Sequence, residues 1–184
     1  MRLKVILITL LLISNVFASD FDINNLTPQE IKTLKEIKAH GKENGLSYSL
    51  MAIAIKESGL GKYLVNVDTK DYGLYQANIK TVINRENAPD TSWNRNVFAM
   101  KLISDFQFAT KNAIEELSYW QKVHNNNWSK VWSSYNGGWR YNSDAAKQYS
   151  KDIATIIREL KKVDVWYFLT RIFLVISSFP FIYI

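Results

Sequence analysis

Met51-Ala52-Ile53-Ala54-Ile55-Lys56-Glu57-Ser58 is apolar on nearly every side of a helical wheel until its last three residues. A helix that is hydrophobic all round is normally buried in a core, with other elements packed about it. A chain built around such a segment is expected to be helical, with Glu57 where the buried helix emerges. Ser47 is the expected cap of this helix. Ala54 and Ile53 lie one turn before Glu57, so its carboxyl starts partly desolvated. It also sits at the helix C-terminus, whose partial negative charge disfavours a carboxylate. Both effects raise its pKa and keep a proton available near neutral pH for a leaving oxygen. The competing reading is a surface glutamate that merely ends a helix.

Helical spacing continues outward on both sides. Thr27-Pro28-Gln29-Glu30 has the form of a capping box with proline at the first helical position. Ile31, Leu34 and Ile37 follow at helical intervals up to Gly41. One helical stretch is expected from Val97 to Val123, and a short one from Trp128 to Tyr135, stopped by Asn136-Gly137-Gly138. Ser143 is placed to cap a last amphipathic helix with Ala146, Tyr149, Ile153, Ile156, Ile157 and Leu160 on its apolar side. Between residues 59 and 90 the periodicity fades among glycines, asparagines and aspartates, so turns or small strands are expected there. The result is a mainly α single domain, without repeats or low-complexity linkers.

The 184 residues allow one sizeable core, and 47% hydrophobic residues with 22% charged ones exclude disorder. Residues 1–18 read as an export signal: Arg2 and Lys4, then the apolar run Val5 to Phe17, with cleavage expected after Ala18. An uncleaved anchor is the alternative, although the run is short for a membrane span. The mature domain would then occupy residues 19–162 and lie outside the cytoplasm, in a periplasm. The chain has no cysteine, which rules out disulfides and cysteine lipidation. The net charge of +6, or +4 once Arg2 and Lys4 leave with the signal (6 − 2), suits an anionic partner such as cell-wall polymer. No basic stripe points to nucleic acid. Two histidines far apart, His40 and His124, imply no zinc site, and no cofactor is expected.

Residues 163–184 form a strongly apolar, aromatic tail whose role is open between membrane association, packing on the domain, and a non-native end. Arg171 within it would cost about 2.5–3.5 kcal/mol at mid-bilayer.

Two further segments bear on chemistry. Asp71-Tyr72-Gly73-Leu74-Tyr75-Gln76 allows a tight turn at Gly73, with Leu74 and Tyr75 packed inward and Gln76 and Asn78 facing a cleft. Carboxamides donate and accept, which suits sugar hydroxyl and N-acetyl groups. Ser134-Tyr135-Asn136-Gly137-Gly138-Trp139 places a tyrosine ahead of a flexible turn. Trp93, Trp128, Trp132 and Trp139 offer faces on which sugars stack, though most tryptophans are core residues.

Glu57-Ser58, Gly73-Leu74-Tyr75-Gln76 and Tyr135-Asn136-Gly137, in that order, resemble the motifs of the soluble lytic transglycosylase domain, a lysozyme-like α+β fold. The resemblance covers about residues 45–160. It implies cleavage of the MurNAc–GlcNAc β-1,4 bond of peptidoglycan, with Glu57 as general acid and base and 1,6-anhydro-MurNAc ends as product. It also implies that Tyr135 hydrogen-bonds Glu57 in a supporting role, and that Ser58, Tyr75, Gln76, Asn78 and Asn136 contact substrate. The partner is then a glycan strand, taken by a monomer. Tyr75 departs from the methionine many members carry, and Gly59-Leu60 from their usual pair after Glu-Ser. Asp71 also falls where lysozymes of the c type carry a second catalytic carboxylate, so a muramidase using Glu57 and Asp71 is the alternative. An Asx-type turn residue is the structural alternative for Asp71. A non-catalytic wall-binding module is a third reading of the chain.

Overall fold

A computed structural model of the protein describes residues 25–177, with side chains through Val163. Seven α-helices and one small antiparallel sheet are present among the described residues: α1 (Pro28–Gly41), α2 (Ser47–Ser58), β1 (Val65–Asn66), β2 (Asp71–Tyr72), β3 (Ala77–Asn78), α3 (Ile79–Arg85), α4 (Ser92–Ser104), α5 (Phe106–Val123), α6 (Trp128–Gly137) and α7 (Asp144–Ser177). This is a mainly α, lysozyme-like fold. The signal-like segment 1–18 and the last seven residues of the tail lie outside the described residues. The tail begins within α7, which runs without a break through residue 163 to Ser177. No helix among the described residues is long and apolar enough to cross a membrane.

The centre is α2, as its composition requires. Leu50, Ala52, Ile53 and Ala54 have no exposed surface. Helices α1, α5 and α7 pack around it. On α7, Ala146, Tyr149, Ile153, Ile156 and Leu160 face inward at the expected spacing.

Helix α1 starts as expected. Thr27 Oγ1 accepts from the Glu30 amide, and Glu30 accepts from the Thr27 amide at 2.8 Å. Lys62 ion-pairs with the same carboxylate at 2.8 Å. That ammonium, followed by the bonds from Thr27, pulls the Glu30 pKa down to about 2. Ser143 likewise caps α7 by accepting from the Ala146 amide at 3.3 Å. Ser47, by contrast, is the first residue of α2 rather than its cap, and its hydroxyl donates to the Lys38 carbonyl at the end of α1.

Two further expectations differ from the structure. The stretch expected as one helix is two, because Asp105 leaves helical geometry (φ −111°, ψ 100°) and caps α5 by accepting from the Phe108 amide at 3.0 Å. A short polar side chain that bonds forward to the backbone stabilises a new helix start over continuation of the old helix. The 59–90 region holds the expected small strands, but also a helix, α3. Asn78 starts it by accepting from the Lys80 amide at 3.2 Å. Seven residues are too few to show a clear apolar period.

Candidate active site

The sheet and α2 meet through Ser58. Its hydroxyl, fully buried, donates to the Leu74 carbonyl at 2.7 Å and accepts from the Gly61 amide at 3.0 Å. Gly59 ends α2 in the left-handed region (φ 58°), which frees the chain to turn toward the strands. Gly73, between β2 and β3, has φ 81°, and a Cβ there would lie 2.1 Å from the Leu102 carbonyl oxygen of α4. Only glycine fits that approach. The register then sets Asp71 opposite Asn78 across β2 and β3. Asn78 Nδ2 donates to Asp71 Oδ1 at 2.8 Å.

These elements enclose a cleft of about 230 Å³, with Glu57, Asp71, Gln76, Asn78, Tyr135 and Asn136 among its lining residues. Gln76 is held with φ 46° while its amide donates to the carbonyls of Gly73 and Tyr63. Thr81 and Arg85 from α3, with Asn112 and Glu116 from α5, form the rest of the polar wall. Arg85 pairs with Glu116 and donates to Asn112 Oδ1 at 2.8 Å. Glu116 also accepts from the Trp120 indole at 2.6 Å.

Glu57 is half-buried, and its Oε1 accepts from the Tyr149 hydroxyl at 2.6 Å. Burial raises its pKa from 4.5 to about 7, which outweighs the opposing bond from Tyr149; the charge of Asp71 adds to the rise and Lys56 subtracts from it. Tyr149 and Tyr135 are both held well above the usual tyrosine range, chiefly by burial and then by the charge of Glu57. Both phenols therefore remain donors at neutral pH.

Three residues differ from expectation. The Tyr135 hydroxyl donates to the Tyr75 carbonyl at 3.0 Å, not to Glu57, although it lines the same cleft. Its geometry braces the β2–β3 turn against α6. Ser58 and Tyr75, expected to touch substrate, are interior: Ser58 is 0% and Tyr75 1% exposed. The Tyr75 hydroxyl pairs with Thr110 at 3.2 Å in the core. An aromatic ring too large to stay in the turn is buried, as the inward packing of Leu74-Tyr75 requires.

Tyr149 is the residue that sequence reasoning missed. Spacing placed it on the apolar stripe of α7 between Ala146 and Ile153. A tyrosine in such a stripe still needs a partner for its hydroxyl, and that requirement was the available signal. Arg85 and Glu116 left no signal, since an arginine ending an unrecognised helix and one glutamate of a pair look like surface.

A buried helix that delivers one protonatable glutamate to a polar cleft beside a small sheet defines a lysozyme-like protein. The chain belongs to the transglycosylase SLT domain family, whose sequence profile matches residues 35–157. Proteins of this family are of the lytic transglycosylase type and act on peptidoglycan strands. The chain is also 29% identical over 124 residues to an uncharacterized 20.7 kDa protein in the vs-regB intergenic region of Enterobacteria phage T4. The match covers 65% of each of the two chains, so the chain spans less than two thirds of that relative's length. No solved structure matches the chain.

Proposed function

We propose that this protein is an exported peptidoglycan lytic transglycosylase in which Glu57 is the single acid and base. The observation that carries the reading is the Glu57 carboxyl, held to about pKa 7 by burial at a cleft rich in carboxamides. Tyr149 occupies Oε1, so the proton resides on Oε2. That proton passes to the glycosidic oxygen as its bond to C1 of MurNAc breaks. The carboxylate left behind takes the proton of the C6 hydroxyl while O6 bonds to C1, closing the 1,6-anhydro ring. Glu57 ends as it began, and no water is consumed. Gln76 Oε1 and the Asn136 carboxamide meet the sugar substituents, while Asn78, bonded to Thr69, Asp71 and Lys80, shapes the wall of the cleft. The sequence of residues 1–18 supports export, and the apolar composition of residues 163–184 supports attachment to a membrane surface. Removing the residues after Lys162 should then shift the protein into the soluble fraction.

Digestion of purified murein followed by mass analysis tests the reaction. Anhydro fragments are one water lighter than hydrolysis products, and the proposal requires them. A second reading has one observation in its favour: Asp71 lines the same cleft, and its charge acts on Glu57. Reducing-end fragments lost equally in Glu57→Gln and Asp71→Asn would select that muramidase. Retention on murein without any fragment release would select a binding module.

A further inference from the structure

Trp139 follows the cleft residue Asn136 by three positions, on the 3-10 turn Gly138–Arg140. It is 69% exposed, second to Trp93 among the tryptophans of residues 25–163. Its ring is not loose, because it meets Trp120 edge to face at 5.2 Å between centroids. Trp120 is in turn stacked on His124 at 5.8 Å and touched by Tyr119 at 4.9 Å. Tyr141 closes the group against His124 at 4.6 Å. Burial keeps His124 below its ordinary pKa, with Lys130 adding to the effect, and the Lys130 ammonium lies over the Tyr141 ring at 6.0 Å. The cluster joins the cleft twice: through α6 by way of Asn136, and through α5, where the Trp120 indole donates to the cleft residue Glu116.

We propose that Trp139, braced by Trp120, is an outlying carbohydrate platform that stacks the apolar face of a neutral N-acetylhexosamine ring further along the strand held in the cleft. A flat aromatic face with polar groups at its edge matches a pyranose ring, whose one face is C–H and whose rim is hydroxyl and amide. A ring already braced by its neighbours loses little freedom on binding. Trp93 on α4 is the more exposed indole, at 76%, and serves as the control. The platform rests on the glycan-binding part of the proposed function, not on the fate of the cleaved bond.

The test uses the full chain carrying Glu57→Gln, so that nothing is cleaved, with chitobiose and chitohexaose as probes. Titration is followed by NMR of the Trp139 indole N–H. Chitohexaose should move that signal. Adding Trp139→Ala should weaken chitohexaose about fivefold, roughly the value of one stacked ring, and leave chitobiose unaffected. Trp139→Phe should keep most of the affinity, and Trp93→Ala all of it. A melting curve matching the parent shows that the alanine variant is folded. Equal chitohexaose affinity with and without the indole, an unmoved Trp139 signal, or no binding to the parent overturns the platform. If murein yields no anhydro ends while chitohexaose still depends on Trp139, the platform stands and the transglycosylase reading falls.

Discussion

Tyr149 and Asp71 act on Glu57 in opposite senses, which makes the carboxyl testable residue by residue. Tyr149 favours the carboxylate by donating to it, and Asp71 disfavours it by like charge. The proposed mechanism needs Glu57 protonated, so activity should fall as pH rises through about 7. Tyr149→Phe should move that alkaline limb upward and Asp71→Asn downward, as pH–rate profiles on murein would show. Movement of both limbs the same way would refute the assignment. Stability gives a second readout. The unfolded carboxyl has its ordinary pKa of 4.5 and the folded one about 7, so between these values the folded state binds the extra proton. Stability therefore declines as pH rises from 4.5 to 7, by at most about 3 kcal/mol. Glu57→Gln, which carries no charge to desolvate, should raise the melting temperature at pH 8 and change it little at pH 4. At this scale the sequence was legible for Glu57, Gln76 and Asn78, whose positions follow from local spacing. It misplaced Ser58 and Tyr75, whose burial depends on what packs over the turn.

Two contacts between elements hold the glutamate in place. Along the α2–α7 seam, Lys56 Nζ lies 2.8 Å from Asp152 Oδ2, one residue before Glu57 and three after Tyr149. The side chains are only 12% and 15% exposed, so removing one partner leaves a charge poorly solvated. Asp152→Ala should destabilise the fold by about 2–3 kcal/mol by denaturant titration, and the Lys56→Asp/Asp152→Lys swap should recover part of that loss. At the β2–β3 turn, Gly73→Ala combines a left-handed φ with a Cβ driven into the Leu102 carbonyl. A loss above about 3 kcal/mol is expected, together with the cleft. The capping box of α1 was readable because its partners lie three residues apart. The seam was not, because Lys56 and Asp152 lie 96 residues apart and look in sequence like two surface charges.

Across the whole molecule, a chain of net charge +6 carries a cleft lined by Glu57, Asp71 and Glu116 against Arg85 alone. Under the proposed function, the basic exterior would draw the protein to an anionic wall polymer while the cleft takes largely neutral sugar. Added salt should therefore weaken retention on isolated murein, yet leave chitohexaose binding to the Glu57→Gln protein nearly constant. The sequence by itself determined the helical class, the burial of α2, the start of α1 and the emergence of Glu57 from an apolar face. These depend on periodicity and on bonds between near neighbours, which the order of residues encodes directly. Only the tertiary structure decided which tyrosine reaches Glu57, that Tyr135 braces the turn instead, and that Arg85 and Glu116 wall the cleft. Those outcomes depend on how helices far apart in the chain cross, and a side chain's partner across such a crossing leaves no local trace.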